Sequence, residues 1–262
     1  MAKYGKWIGG ALGWTVGGPI GAALGFFVGM MFDDNSLAQD DPDTGRSRRS
    51  YDRYRHNTRS GDFAASLIVL SAAVMKADGK VLKSELNFVR DFFERNFGKK
   101  VAEHHILLLR DLLKQDLDVR AISDQIRYYM EHQNRILLLQ YLFGIAAADG
   151  NLDESEIRVI RTISGYLGIS AKDFESIRAM FSGGSRTSAR GYKTSIGDAY
   201  KILEIEKSAT DQEVKKAYRQ MARKYHPDKN RNVGQEYQEM AKEKFIKVQE
   251  AYDQIKDARG MK

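Results

Sequence analysis

Tyr225-His226-Pro227-Asp228-Lys229-Asn230 is the stretch around which the C-terminal part of the chain is read. Proline lacks an amide hydrogen and disfavours the α conformation in the residue before it, so a helix arriving from upstream ends at about Tyr225 or His226. Upstream, Val214, Ala217, Tyr218, Met221, Ala222 and Tyr225 fall at helical spacing and form one apolar face. Lys215, Lys216, Arg219, Gln220, Arg223 and Lys224 form the other. Thr210 and Glu213 have the spacing of a capping box at the start of this helix. Downstream, Ala241, Phe245, Val248, Ala251, Tyr252 and Ile255 mark a second amphipathic helix, and Ala199, Tyr200, Ile202, Leu203 and Ile205 a short first one. Two long antiparallel helices would bury these stripes against each other and present the turn at one end.

This pattern resembles the J-domain of DnaJ-type proteins. The resemblance is carried by Asp198-Ala199-Tyr200-Lys201-Ile202-Leu203, by Glu213 to Arg219, by Tyr225 to Asn230 and by Phe245 to Tyr252. One departure is Glu204, where the family usually carries a glycine at a helix end. The resemblance implies binding to a DnaK-type (heat-shock 70 class) chaperone and stimulation of its ATP hydrolysis. It implies a binding set of His226, Pro227, Asp228, Lys215, Lys216, Tyr218, Arg219, Arg223, Lys224, Lys229 and Asn230. The physics agrees: cations on one rigid face steer and register an acidic partner, and a carboxylate at Asp228 suits a partner arginine. His226 reads as a rigid hydrogen-bonding group, because no substrate pocket is evident around it. The chain itself is then an activator of a partner ATPase and has no catalytic residue.

The 262-residue chain has no cysteine, which excludes disulfides, thiolate zinc sites and cysteine nucleophiles. A phosphate loop and a nucleophile–base constellation are also missing, and no cofactor is implied. Its prolines are Pro19, Pro42 and Pro227, and the long proline-free stretch between the last two, with its periodic apolar residues, predicts helices throughout. The fold class expected is all-α: an N-terminal transmembrane helix, a central helical domain and the C-terminal helical hairpin. The net charge of +7 permits acidic partners, anionic membrane or nucleic acid.

Residues 1–32 are read as a glycine-zipper membrane anchor. No charge occurs from Trp7 to Phe32, a run about long enough to span a bilayer. Gly9, Gly13, Gly17, Gly21, Gly25 and Gly29 recur at four-residue spacing, which on a helix lets a second helix approach closely and suggests a homodimer. The flanking charges lean toward a cytoplasmic N-terminus. An ATP-fed partner requires the opposite, and this constraint takes precedence. The location expected is a single pass through the inner (cytoplasmic) membrane, with the C-terminal domains in the cytoplasm. Residues 33–60 read as a disordered charged linker, acidic first and then rich in Arg and Tyr. A solvated tether is the favoured reading, contact with anionic headgroups the next, and nucleic acid the least favoured.

Residues 61–181 read as about seven helices with an internal repeat. Ala77-Asp78-Gly79-Lys80-Val81-Leu82-Lys83-Ser84-Glu85-Leu86 matches Ala148-Asp149-Gly150-Asn151-Leu152-Asp153-Glu154-Ser155-Glu156-Ile157. Gly79 and Gly150 suit a helix C′ position, and Asp153 with Glu156 a capping box. The glutamates have an EF-hand offset, but the first-ligand positions would be Val74 and Ile145, which excludes that calcium loop. Turn-and-cap chemistry is preferred, with no metal. A site outside the EF-hand pattern, drawing on Asp78, Glu85, Asp149, Asp153 or Glu156, is the alternative. The pair of units resembles the TerB-like (tellurite-resistance) domain, and the whole domain order resembles the membrane-anchored DjlA-type co-chaperones. The TerB-like domain is then a sensing or client-recruiting module. The competing reading is a stress-response interaction scaffold acting mainly through that domain. Residues 182–195, rich in Gly, Ser and Arg, read as a flexible linker before the J-domain at 196–262.

Overall fold

The computed structural model describes residues 13, 18, 20, 21, 58–77, 79–182, 195–226 and 235–261. Among these the chain is all helical, with ten helices and no strand. The central domain holds seven: α1 (Thr58–Met75), α2 (Lys83–Phe97), α3 (Lys99–Leu112), α4 (Val119–Tyr129), α5 (His132–Ala146), α6 (Glu154–Tyr166) and α7 (Ala171–Phe181). The C-terminal unit holds α8 (Ile196–Ile202), α9 (Asp211–Lys224) and α10 (Gln235–Arg259).

The core of the central domain is built on α1 and α5, which pack against each other. Every residue from Ile136 to Ala146 is buried, as expected for a helix apolar on all sides. Tyr141 on α5 reaches α1, its hydroxyl 3.0 Å from Ser71 Oγ, which itself donates to the Leu67 carbonyl at 2.6 Å. That satisfies two hydroxyls in an otherwise dry interior. Gly144 lets α2 come close: a Cβ there would lie 2.4 Å from the Phe88 ring.

The sequence repeat is a structural repeat. Each of α1 and α5 ends in a turn that places a glycine in the left-handed region, Gly79 at φ +78° and Gly150 at φ +93°. The Gly79 amide donates to Lys76 O and the Gly150 amide to Ala147 O, both at 3.1 Å. The helices themselves end at Met75 and Ala146, so each glycine closes a turn four residues past the last helical residue and does not occupy the C′ position expected from the sequence. Asp153 caps α6 by accepting from the Ser155 amide at 2.7 Å, one residue earlier than a capping box requires.

Little of the anchor segment lies within the described residues; Gly9, Gly17, Gly25 and Gly29 fall outside them, as does most of the predicted linker. Gly13 and Gly21 are helical, and a Cβ on Gly21 would sit 2.3 Å from the Gly13 carbonyl oxygen. Gly18, between them, lies in the left-handed region at φ +60°. The Ile20 amide donates to Gln125 Oε1 on α4 at 3.0 Å. Among the described residues no helix is long and apolar enough to cross a membrane.

Candidate functional site

The C-terminal unit is a short helix laid across a hairpin. Helix α9 starts as the sequence predicts: the Thr210 amide donates to Glu213 Oε2 at 2.7 Å, and the Glu213 amide to Thr210 Oγ1 at 3.3 Å. Its apolar stripe, Val214, Ala217 and Met221, is buried. Across the hairpin Ala241, Val248, Ala251 and Ile255 are buried on α10, and Tyr218 stacks on Tyr252 with ring centres 4.2 Å apart. Helix α9 ends at Lys224, where the Tyr225 amide closes the last turn on Met221 O. Tyr225 is fully buried, so the residue before the His-Pro-Asp sequence is a core residue that fixes where the loop begins. His226 is exposed, with its ring edge-on to Phe245 at 6.0 Å. Pro227, Asp228, Lys229 and Asn230 lie outside the described residues.

The predicted basic face is assembled. Lys215, Lys216, Arg219, Arg223 and Lys224 line one open groove of ≈ 1090 Å³ along α9, with Gln133 of the central domain on its far wall. A run of cations on a helix clamped at both ends is preorganised for an acidic partner surface.

One feature of this unit is absent from the sequence reading, and a second, Glu204, is visible there only as a departure from the family. Arg259, in the last turn of α10, donates to Tyr200 Oη at 2.5 Å, Ala209 O at 2.6 Å and Lys207 O at 2.8 Å. It thereby ties α10 to α8 and to the α8–α9 loop. Glu204, where a glycine is expected, adopts φ +59°. The Glu204 amide bonds Lys201 O and the Ile205 amide bonds Tyr200 O, the two bonds of a Schellman end. The helix end therefore keeps its glycine-type geometry with a glutamate in place.

The reason lies in what covers Glu204. The hairpin unit packs on α5 and α7 of the central domain. Ser176 Oγ donates to Ile202 O at 2.9 Å, and Lys224 Nζ lies 3.2 Å from Asp173 Oδ1. Gln133 Nε2 donates to the Lys224 carbonyl, and Gln140 Nε2 to Met240 O at 3.4 Å. Burial pushes the Glu204 carboxyl up, as does the Asp173 charge facing it. Burial also works against the Asp173 carboxylate, but Ser170 and Lys224 outweigh it and hold its pKa below the usual range. Lys244 is fully buried, its ammonium 4.4 Å from the Tyr225 ring centre, and desolvation lowers it to about 7. His132 faces Asp173 at 3.8 Å. His105 is a core residue, stacked on Phe93 at 4.6 Å and lowered by burial.

The repeat turns of the central domain do not gather a metal site among the described residues. Asp149 accepts from the Asn151 amide at 2.8 Å and Asp153 is used as a cap, while Asp78 lies outside the described residues. Glu85 and Glu156, at equivalent repeat positions, are both buried and meet through a side-chain hydrogen bond. Each also accepts the backbone amide that opens its own helix, Leu82 at 2.7 Å for Glu85 and Asp153 for Glu156. Desolvation, then the hydrogen bond and charge of Glu85, pushes Glu156 up to about 8, so the pair holds one proton between its two carboxyls at neutral pH.

Comparison with known proteins joins these units. Residues 198–260 match the DnaJ domain, over the same helices that hold the basic groove. The chain carries a J-domain. Residues 64–179 match the tellurite resistance protein TerB, and residues 1–49 the transmembrane domain of the co-chaperone DjlA. Full-length matches include the co-chaperone protein DjlA of Coxiella burnetii, 27% identical over 100% of both chains. Those of Haemophilus influenzae and Escherichia coli K12 are 28% and 27% identical, again over 100% of both chains. No solved structure matches. The order of a DjlA-type transmembrane domain, TerB domain and J-domain supports a membrane-anchored J-domain co-chaperone.

Proposed function

We propose that the J-domain binds a DnaK-type chaperone and stimulates its ATP hydrolysis, with the TerB domain recruiting clients or partners and both domains on the cytoplasmic side. The observation that carries this reading is the α9 face. Five cations line a single groove on a helix whose end is fixed by buried Tyr225, and His226-Pro227-Asp228 follows at once. The cations supply steering and register, and the tripeptide supplies the group that reaches the partner's catalytic machinery. The chain contributes no bond-breaking residue; the ATP is cleaved by the partner.

The test is single-turnover ATP hydrolysis by a DnaK-type chaperone with the full chain in nanodiscs. His226→Gln abolishes stimulation while the circular dichroism spectrum stays that of the parent. Stimulation retained by this variant sinks the reading. The basic face has a separate signature: half-maximal activation moves to higher chain concentration as salt is raised. A homodimer through the glycine face is part of the same reading. Gly17→Leu with Gly25→Leu lowers association in a membrane two-hybrid assay, and an unchanged signal counts against it.

A further inference from the structure

The chaperone-facing helix of the J-domain is partly occupied in the structure, and its occupant is the chain's own TerB domain. Lys224 belongs to the basic groove, yet its ammonium is paired with Asp173 and its carbonyl with Gln133. Two residues on comes His226. A chaperone taking the last turn of α9 and a TerB domain holding it compete for the same groups.

The contact is also built at a cost. Three buried polar atoms at this seam, Tyr225 Oη, Glu204 Oε1 and Lys244 Nζ, have no hydrogen-bond partner. Buried groups without partners weaken an association, and intrachain interfaces of polar character are the ones that separate. Glu204 adds a left-handed backbone that a glycine would take without strain. Its carboxylate reaches the TerB face only because it is not glycine. An unstrained, fully satisfied seam would fix the two domains as one body; this one is assembled from groups that gain solvent when it opens.

We infer that the TerB face bearing Gln133, Asp173 and Ser176 is a docking surface for the chain's own J-domain, which leaves it before a chaperone takes the end of α9. The inference rests on the co-chaperone reading for its consequence and on the seam alone for its geometry. Docking reduces the fraction of chains able to bind the chaperone and raises the apparent dissociation constant by that factor.

The experiment uses the full chain in nanodiscs with two variants of the TerB face, each removing a bond across the seam: Asp173→Asn and Ser176→Ala. Activation of the chaperone ATPase is titrated, and amide exchange is followed across Arg223, Lys224 and Tyr225. Both variants reach half-maximal activation at roughly three- to tenfold lower concentration, at unchanged maximal stimulation, and exchange faster at those amides. Both substitutions lie in the TerB domain, so their effect cannot be assigned to a misfolded J-domain. Equal or weaker activation by both variants overturns the inference, as does unchanged amide exchange. If neither parent nor variants stimulate, the co-chaperone reading falls, and the exchange data still decide whether the seam is held by these groups.

Discussion

Replacing Glu156 by glutamine stabilises the TerB domain at alkaline pH and leaves it nearly unchanged in acid. In the unfolded chain this carboxyl titrates near 4.5, and in the folded domain it is pushed up to about 8. Between those values folding takes up a proton, so stability falls as pH rises through the window and levels off above it. At pH 8 the ceiling is a few kcal/mol, since one pKa unit corresponds to about 1.36 kcal/mol. Water at the rim of the pair screens part of that, so we expect a gain of about 2 kcal/mol at pH 8. Glutamine still accepts the Asp153 amide as a capping-box residue and donates to Glu85 without carrying charge. The assay is urea unfolding of the full chain in detergent at pH 5 and pH 8, followed by tryptophan-independent far-ultraviolet circular dichroism. A variant that shifts both midpoints equally, or that loses stability at pH 8, refutes the shared proton.

Other outcomes follow from single contacts. Gly144→Ala destabilises by about 2 kcal/mol through collision with Phe88, and thermal melts in a Phe88→Ala background show a smaller loss. Lys244→Met stabilises the chain by about 2 kcal/mol below pH 7, because the folded lysine is depressed to about 7 and its burial cost is largest where it must be charged. That advantage shrinks as pH rises toward 10.5, opposite in sign to the Glu156 effect, and paired melts at pH 6 and pH 10 read it. Arg259→Lys leaves the Ala209 and Lys207 carbonyls without the fork that bonds both, and amide exchange in α8 and the α8–α9 loop quickens while α5 is unaffected.

What could be read from sequence was local. The α9 stripe, the Thr210–Glu213 cap and the end of the helix at the tripeptide depend on residues within a few turns of each other. So do the turns at Gly79 and Gly150. Each is dictated by backbone geometry and by proline or glycine at a fixed offset. The contacts that were not legible join distant residues. Asp173 meets Lys224 and Glu204 only once the domains have docked, and no periodicity announces it. Glu156 was legible as a helix-start residue, and the repeat that makes Glu85 its equivalent was visible, but that equivalent positions would converge is a property of how α1 and α5 pack. A linker of Gly, Ser and Arg also reads as freedom of movement, whereas the J-domain lies against α5 and α7. Glu204 offered the one signal in that direction: a departure from the expected glycine implies that a side chain has work to do there.

The paired glutamates have a consequence for how the repeat came to be tolerated. A helix start of this kind favours an ionised carboxylate, and one copy in isolation would have had it. Joining two copies about a common core brings like to like, and two adjacent carboxylates cannot both stay charged. The repeat therefore carries its glutamate twice and its charge once, with one proton serving both halves. A fragment holding a single half loses that division, and its glutamate reverts to an ordinary acid.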